Sequence, residues 1–596
     1  MLHHNPSIRR GESMTKKRSL LPIMIAILLL GYSKDASAEQ TDPLPQKTEK
    51  RSVFPEDCWG VYSWCSWNPV KNNRKNAPLI KGGPIIMRWD KLEPQPGRYL
   101  FDQFLKARLQ AAVDNNFYTF VMIWISPRTP QWVFESGVPK VRTTKTMTPT
   151  RKERNGAFPY YLEKRFIRYL HRLIDAFGDY IRNLPPELRK RILFVQSAEG
   201  STGDGWGYKG KPLDKRYIIT REAWRQYRIG VWNAYRNAFQ SDGFFLPILV
   251  NNDANSEVEY DYLLKHMGII GLKNGMFSHG YHISDTQSRL ERWNRFKQQV
   301  LAQGKGFFSR GEMDGEWKIC GWSKKNPEQA LYWSAIFATH CGLDMWNIPS
   351  EACVGFKYKD AIRFFNKYAG KHDPATAPGA FCALRKGLDA SDTTAYPETR
   401  FGKATKKNVS RYIKIAAAYK KWGAYQGDPD KATGGGMKNR QRNDYNDVGW
   451  GILPGNYFRF LEQIDPEGTS IGWWHVGPPR SIYGRFARSF DHRRGKTEMF
   501  FKLDEHFFPD RSQPHTVRVR IIYLDKGKGT WSLNYNDQNR KKEAIRVTCN
   551  DTGKWIEKNI TIEHALFSSG LEKGSDLTLR YLGGDDTAFH LIELER

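Results

Sequence analysis

The sequence predicts an α/β fold, a parallel (β/α)8 TIM barrel followed by a C-terminal all-β sandwich. Two observations lead to this prediction. Between about residues 53 and 350, short β-rich runs alternate with amphipathic helical stretches, as in a barrel of eight strands and intervening helices. After about residue 489 the helical pattern ends, and alternating strands are separated by turn signals at 525–527 and 583–585. That second pattern is typical of a β-sandwich.

The first 52 residues are predicted to lie outside the fold. Lys16, Lys17 and Arg18 precede an apolar run at 20–30, and Ala36-Ser37-Ala38 follows it. This is the pattern of a secretory signal peptide, which we assign to 1–38. The apolar run is too short to cross a bilayer of about 30 Å, so a secreted chain without a membrane span is expected. Residues 39–52 are polar, contain prolines and are predicted to be a linker.

The barrel is assigned to 53–355, an extension at its edge to 356–488, and the sandwich to 489–596. The predicted barrel strands are 84–89, 118–125, 138–143, 192–196, 244–250, 276–279, 306–310 and 343–348. The predicted helices between them are 101–115, 160–182, 221–240, 257–267, 286–303 and 327–339. The extension is rich in Gly, Lys and Trp and contains one clear helix at 409–422.

Charge and cysteine content narrow the function classes. The chain has 93 Lys and Arg against 63 Asp and Glu, a formal charge of +30, which favours an anionic partner such as nucleic acid, a membrane surface or an acidic polysaccharide. Export argues against nucleic acid. Seven scattered cysteines do not form a disulfide framework, and pairing of Cys58 with Cys65, or of Cys320 with Cys341 or Cys353, stays open beside buried free thiols. No motif for a metal or cofactor is present, and none is expected.

Two carboxylates end apolar runs that are predicted to be barrel strands. Glu199 follows the fourth strand and Glu312 follows the seventh. Active sites of this fold lie at the C-terminal ends of the strands, so both side chains are expected at the barrel mouth. A retaining glycosidase needs such a pair about 5 to 5.5 Å apart, one as acid/base and one as nucleophile. Asp204 is the competing acid if Glu199 is structural.

The passage from Met87 to Asp102 contains a Trp, a Leu-Glu-Pro and a Gly-x-Tyr-x-Phe-Asp. In this it resembles the family 42 β-galactosidases and related barrels of the large retaining glycoside hydrolase clan. The resemblance covers about 53–350 and implies Glu199 as acid/base and Glu312 as nucleophile. It also implies that His279 and Tyr281 form the His-x-Tyr pair of that clan, and that Trp346 is the tryptophan under the sugar.

One position departs from the clan pattern. The clan has Asn immediately before the acid/base, whereas this chain has Ala198, so Gln196 or Asn251 is expected to contact the substrate instead. Among the aromatic residues, Trp89, Trp124, Trp132 and Trp206 can stack on sugar faces or pack in the core.

Basic side chains near predicted strand ends and loops favour an anionic polysaccharide substrate. They are Arg310, Arg88, Arg128, Arg142, Lys209 and Lys211. Together with the resemblance, they predict a secreted retaining hydrolase of β-galactosidic bonds in a sulfated galactan such as carrageenan or furcellaran, similar to the carrageenases related to family 42. A neutral β-galactosidase and a noncatalytic polysaccharide-binding protein are the alternatives. The sandwich is expected to bind polysaccharide or to brace the barrel.

Overall fold

Eight parallel strands form a closed barrel in the computed structural model. The structure describes residues 53–64, 67–69, 72–144, 158–202, 205–251, 256–273, 287–313, 326–422, 448–451, 453–538 and 540–596. The predicted signal peptide at 1–38 and the linker at 39–52 lie outside these ranges. Residues from Phe54 to Arg596 belong to one compact unit.

The first ten strands in chain order are β1 (Gly60–Trp64), β2 (Gly82–Arg88), β3 (Tyr118–Trp124), β4 (Lys140–Val141), β5 (Phe158–Pro159), β6 (Ile192–Gln196), β7 (Ile248–Val250), β8 (Ile269–Lys273), β9 (Gly306–Glu312) and β10 (Met345–Pro349). The barrel follows the order β1, β2, β3, β6, β7, β8, β9 and β10, and β10 pairs with β1 to close it. β4 and β5 pair only with each other. The predicted barrel is therefore confirmed.

Three strand assignments differ from the sequence prediction. The first barrel strand, β1, was missed because its five residues are bounded by cysteines and tryptophans rather than by clear turn signals. The run at 138–143 was wrong as a barrel strand, since only Lys140–Val141 is extended and it pairs with β5. The sixth barrel strand is Ile269–Lys273, and the predicted run at 276–279 lies outside the described residues. Glu199 nevertheless follows the fourth barrel strand, and Glu312 ends the seventh.

Helices pack around the outside of the barrel, and the short helix Pro466–Thr469 packs on the sandwich instead. The described helices are α1 (Trp89–Leu92), α2 (Phe101–Asp114), α3 (Gln131–Glu135), α4 (Lys164–Arg182), α5 (Pro186–Arg189), α6 (Arg221–Phe239), α7 (Glu257–His266), α8 (Gln287–Ala302), α9 (Pro327–His340), α10 (Ser350–Cys353), α11 (Lys359–Tyr368), α12 (Glu398–Phe401), α13 (Val409–Ala418) and α14 (Pro466–Thr469). α6 begins after Thr220, whose hydroxyl accepts a hydrogen bond from the Ala223 N–H at 3.1 Å. Such caps satisfy N–H groups that have no partner within the helix.

The barrel interior is filled by aromatic side chains. The ring of Phe194 stacks on Phe120 with centroids 4.9 Å apart and contacts Phe308 at 5.0 Å. Tyr62 and Met345 belong to the same buried cluster. Because alternate residues of a strand point to opposite faces, the next inward positions toward the C-terminal ends carry the polar groups described below.

The remaining strands form two antiparallel sheets that share a hydrophobic core. They are β11 (Gly379–Ala383), β12 (Tyr457–Arg459), β13 (Leu461–Ile464), β14 (Ile471–Trp473), β15 (Ala487–Ser489), β16 (Glu498–Leu503), β17 (His515–Asp525), β18 (Thr530–Asp537), β19 (Arg540–Thr548), β20 (Lys554–Ala565), β21 (Leu577–Gly583) and β22 (Ala588–Glu595). One sheet has the order β12, β11, β22, β15, β14, with β17 pairing β22 and β20, and the other has the order β13, β16, β21, β18, β19. The predicted sandwich is confirmed, and it includes five strands that precede or span residue 489.

The sandwich is tied to the barrel helices by buried polar contacts. Trp333 of α9 donates its indole N–H to the Gly484 carbonyl at 2.9 Å. Lys367 and Tyr368 of α11 both bind the carboxylate of Glu593 in β22, the lysine at 2.7 Å. These contacts brace the barrel, one of the two roles expected of the sandwich.

Two further findings concern membrane and thiol chemistry. Among the described residues, no helix combines the length and apolar character needed to cross a membrane. Cys58, Cys353, Cys382 and Cys549 carry buried free thiols, and Cys341 is also buried. Burial raises the pKa of Cys353 and of Cys382 to about 12, so these thiols stay protonated at neutral pH. The remaining two cysteines, 65 and 320, lie outside the described residues.

Candidate active site

Glu312 ends β9 on the inner face of the barrel. Phe308, Arg310 and Glu312 alternate along this strand, and Phe308 belongs to the interior layer. The two following inward positions therefore place a guanidinium and a carboxylate above that layer, toward the C-terminal end of the barrel. Glu312 is 7% exposed. This is the location that the sequence predicted for a catalytic carboxylate.

Two cations hold the carboxylate of Glu312. Arg310 donates from Nη2 to Oε2 at 2.8 Å, and Nζ of Lys273 lies 2.8 Å from Oε1. Lys273 is the last residue of β8, the neighbouring strand. Charge-assisted bonds of this kind stabilise the ionised carboxylate and fix its orientation. An ionised, oriented carboxylate is what a nucleophile at this position requires.

Arg310 is fully buried and contacts side chains of four further strands. Its Nε donates to Oδ1 of Asn347 at 2.7 Å, and its Nη1 donates to Oε1 of Gln196 at 3.0 Å. The guanidinium lies over the rings of Trp64 and Phe120, 4.3 and 4.8 Å from their centroids. Arg310 and Gln196, both predicted to contact substrate, are thus engaged with each other and with the protein.

Glu199 lies in a different environment. It is 0% exposed, and both of its carboxylate oxygens accept hydrogen bonds from neutral donors. Trp232 donates its indole N–H to Oε1 at 2.5 Å, the Ser197 hydroxyl donates to the same oxygen, and Asn251 donates from Nδ2 to Oε2 at 2.9 Å. Trp232 belongs to α6 on the outside of the barrel. Glu199 therefore contacts the helix layer, whereas Gln196 faces the barrel interior.

Two tyrosines of α6 respond to this buried charge. Burial is the main reason that the pKa of Tyr227 and of Tyr235 lies well above the ordinary value, and the negative charge of Glu199 raises both further. Asn251, predicted to contact a substrate hydroxyl, instead binds Glu199 and donates to the Ser197 carbonyl at 3.3 Å. The chain thus uses Glu199 and Asn251 together to join β6, the residue after β7, and α6.

The motif that resembles family 42 forms a buried network around Glu93. Trp89 donates its indole N–H to Oε2 of Glu93 at 2.7 Å, and the Gly97 N–H donates to Oε1 at 2.7 Å. Arg172 of α4 forms an ion pair with the same carboxylate, and Trp132 donates to the Glu93 carbonyl at 3.0 Å. Trp89 is fully buried and Trp132 packs against it edge to face. Both predicted sugar-binding tryptophans have structural partners here.

The other predicted aromatic residues are distributed over several environments. Trp346 is fully buried and packs against Phe365 of α11, between the barrel and its helix layer. Trp124 ends β3 beside the interior aromatic layer and is half-buried. Trp206, in the segment between β6 and α6, is 76% exposed. Of these three, Trp206 presents an open ring face.

Several candidates lie outside the described residues. They are His279, Tyr281 and Asp204. Among the described residues, no cluster of His, Cys, Asp or Glu has the arrangement of a metal site.

Four residues of the site were not identified from the sequence. Trp64, Lys273, Trp232 and Asn347 became visible only through their partners, Arg310, Glu312 and Glu199. Inward alternation along correctly placed strands would have found Trp64, Lys273 and Asn347, since each ends or lies near the end of a barrel strand. No such signal identifies Trp232, because a tryptophan in an amphipathic helical pattern is usually interpreted as a core residue.

The chain is similar to solved structures of carbohydrate-active proteins, but only at low sequence identity. No protein-family model and no curated protein matches the chain. The catalytic domain of a β-amylase from Paenibacillus polymyxa is 10% identical with a TM-score of 0.34, covering 52% of this chain and 96% of that one. A broad-specificity endoglucanase from an uncultured bacterium is 11% identical with a TM-score of 0.32, covering 53% and 87%. A family 29 carbohydrate-binding module is 12% identical with a TM-score of 0.13, covering 21% and 76%.

Proposed function

We propose that this protein is a secreted retaining glycoside hydrolase that uses Glu312 as its nucleophile. The observation that carries the proposal is the pairing of Glu312 with Arg310 and Lys273 at the inner C-terminal end of the seventh barrel strand. The two cations keep the carboxylate charged and aimed, and a charged carboxylate can attack an anomeric carbon to form a glycosyl-enzyme.

The acid/base is proposed to be Glu199 or Asp204. The sequence resemblance supports Glu199, whereas its burial and its three hydrogen-bond donors support a structural role. A general acid must reach the leaving oxygen within hydrogen-bond distance, and it must be protonated before the bond breaks. Glu199 would have to exchange at least one protein partner to do so. The carboxyl separation of about 5 to 5.5 Å stays a prediction for whichever pair is active.

The proposed substrate is the β-galactosidic backbone of a sulfated galactan such as carrageenan or furcellaran. Its support is the resemblance of residues 87–102 to family 42 barrels, the charge of +30 and the predicted export. A neutral β-galactoside is the alternative substrate, and it predicts cleavage that does not depend on sulfate or salt.

A noncatalytic polysaccharide-binding role is favoured by one observation. Both oxygens of Glu312 are bound to cations and Glu199 is fully enclosed, so each carboxylate has its charge satisfied within the protein. A barrel that had lost catalysis could keep such pairs for stability alone. This alternative predicts binding without any release of reducing ends.

Exogenous azide distinguishes these possibilities, because it can replace a missing carboxylate. We expect Glu312→Ala to lose at least about a thousandfold in kcat on an activated aryl β-galactoside. Azide should restore turnover and yield a glycosyl azide of inverted anomeric configuration. Restoration with retained configuration would assign Glu312 to the acid/base role, and wild-type turnover without azide would exclude it from catalysis.

Matched variants locate the acid/base. Glu199→Gln and Asp204→Asn are compared on a substrate with a good leaving group, which needs little acid assistance, and on the natural polysaccharide, which needs much. The acid/base variant should lose about 10²- to 10⁴-fold in kcat/KM on the polysaccharide and little in kcat/KM on the substrate with the good leaving group. A protein that binds sulfated galactan yet releases no reducing ends from it, and that is inert toward neutral β-galactosides, would be the noncatalytic binder.

A further inference from the structure

Two loops at the C-terminal face of the barrel join into a hydrogen-bonded ribbon. Thr143 lies opposite Pro212 in an antiparallel bridge. The Thr144 N–H donates to the Lys211 carbonyl, and the Leu213 N–H donates to the Arg142 carbonyl, both at 2.9 Å. We call residues 140–144 and 209–213 the mouth ribbon. Its first segment lies between β3 and α4 and its second between β6 and α6, so both belong to connections that build the active-site face of this fold.

Alternation gives the mouth ribbon one buried and one exposed face. Thr143 is buried and its hydroxyl donates to the Lys209 carbonyl at 2.6 Å, which fixes the two segments together. Arg142, Lys211 and Leu213 are exposed on the other face. Since residues on either side of a bridged pair point away from it, these three side chains project together into solvent.

Positive charge is concentrated in the mouth ribbon and in the residues on either side of its second segment. Residues 140–144 and 205–219 contain six cationic side chains and one carboxylate. That carboxylate, Asp214, is already paired with Arg216 at 2.7 Å. The excess of five positive charges in twenty residues is far denser than the average over the chain. Such a density attracts an anion beyond what solubility requires.

An open aromatic ring adjoins these charges. Trp206 is 76% exposed, three residues before Lys209. Its backbone is fixed on both sides, because its carbonyl accepts from the Ser201 N–H at 2.8 Å and the Gly205 carbonyl accepts from the Trp224 indole at 2.7 Å. An exposed indole on a fixed backbone offers a flat apolar face on which a pyranose ring can stack.

We propose that the mouth ribbon and Trp206 bind the acidic groups and ring faces of a sulfated polysaccharide chain entering the barrel mouth. The inference deepens the proposed function and rests on it for the identity of the ligand as a substrate. Arg310 and Lys273 are committed to Glu312, so the mouth ribbon supplies exposed cations that these two do not. An aromatic ring that stacks on the sugar, together with exposed cations that bind its sulfate group, is complementary to a sulfated sugar.

Binding is measured without turnover, in the Glu312→Gln background, by affinity electrophoresis and calorimetry with κ-carrageenan. We expect the double variant Arg142→Gln/Lys211→Gln to bind about tenfold more weakly, as the loss of two exposed ion pairs implies, and to show a shallower dependence on salt. Trp206→Ala should weaken native and desulfated κ-carrageenan alike. The matched control is Lys526→Gln/Lys554→Gln, which removes two exposed charges from the sandwich and should leave binding unchanged.

Three results would overturn the proposal. They are unchanged affinity in the mouth-ribbon variant, an equal loss in the sandwich control, and equal affinity for desulfated κ-carrageenan. Tighter binding of a single-stranded DNA oligonucleotide than of κ-carrageenan would identify a nucleic-acid surface instead. Because the assay needs no catalysis, ribbon-dependent binding by a protein that cleaves no galactan would support the inference while rejecting the proposed hydrolase.

Discussion

One buried carboxylate lies at the inner end of β9, and another lies between β6 and α6. The two differ in the partners that bind them. Glu312 is held by two cations on the inner side of the barrel, whereas Glu199 is held by an indole, a hydroxyl and an amide on the helix side. Glu312 is the last residue of its barrel strand, and Glu199 lies three residues beyond the end of its own. The difference shows that position near the end of a strand is insufficient, because the face that the side chain reaches decides its partners.

The two environments imply different energetic roles. An ion pair in a buried site offsets desolvation of both partners, so removal of one leaves an uncompensated charge. A carboxylate with neutral donors acts instead as a shared acceptor, and each donor depends on it separately. Substitutions at the two carboxylates should therefore lower the free energy of unfolding by different amounts.

The largest effect on stability is expected at Arg310. Arg310→Met leaves Glu312 with one cation and removes the hydrogen bonds that Oε1 of Gln196 and Oδ1 of Asn347 accept, so we expect a loss of about 3 to 5 kcal/mol in the free energy of unfolding. Arg310→Lys keeps the charge without the planar fork and should lose less. Denaturant titration of both variants measures the difference. Equal losses would show that charge alone matters, and a loss below about 1 kcal/mol in the Met variant would contradict the role of the pair.

An intermediate effect is expected at Trp232. Trp232→Phe removes one hydrogen bond to the carboxylate of Glu199 and should lower the free energy of unfolding by about 1.5 to 3 kcal/mol beyond the cost of the smaller ring. Trp531→Phe is the matched control, since Trp531 is equally buried and its indole N–H has no hydrogen-bond partner within the described structure. The same denaturant titration applies. Identical losses in the two variants would mean that the bond to Glu199 contributes nothing.

The smallest effect concerns the tyrosines near Glu199. The pKa of Tyr227 and of Tyr235 is raised in the folded protein, chiefly by burial, and the charge of Glu199 adds to the shift of both. The folded state therefore keeps protons that unfolded tyrosines lose above about pH 10, and stability falls as pH rises beyond that value. Tyr227→Phe/Tyr235→Phe should make this alkaline decline shallower. Stability measured from pH 8 to 11 tests it, and an unchanged slope would show that neither tyrosine contributes.

The sequence by itself determined the architecture and the location of the main carboxylates. Periodic apolar runs fixed the barrel and the sandwich, because burial on one or both faces of an element leaves a repeating pattern in the chain. The ends of the runs at 192–196 and 306–310 placed Glu199 and Glu312 after the fourth and seventh strands. The strand Gly60–Trp64 was missed, because cysteines and tryptophans rather than clear turn signals bound its five residues.

Only the tertiary structure decided what these residues contact. The pairing of Lys273 with Glu312 depends on the register between β8 and β9, which aligns Lys273 with Arg310. The burial of Glu199 depends on a tryptophan from α6, thirty-three positions along the chain. The mouth ribbon depends on a bridge between loops that leave different strands. Local sequence encodes which faces are apolar, whereas the partners of polar side chains are set by strand register and loop packing, which no local pattern contains.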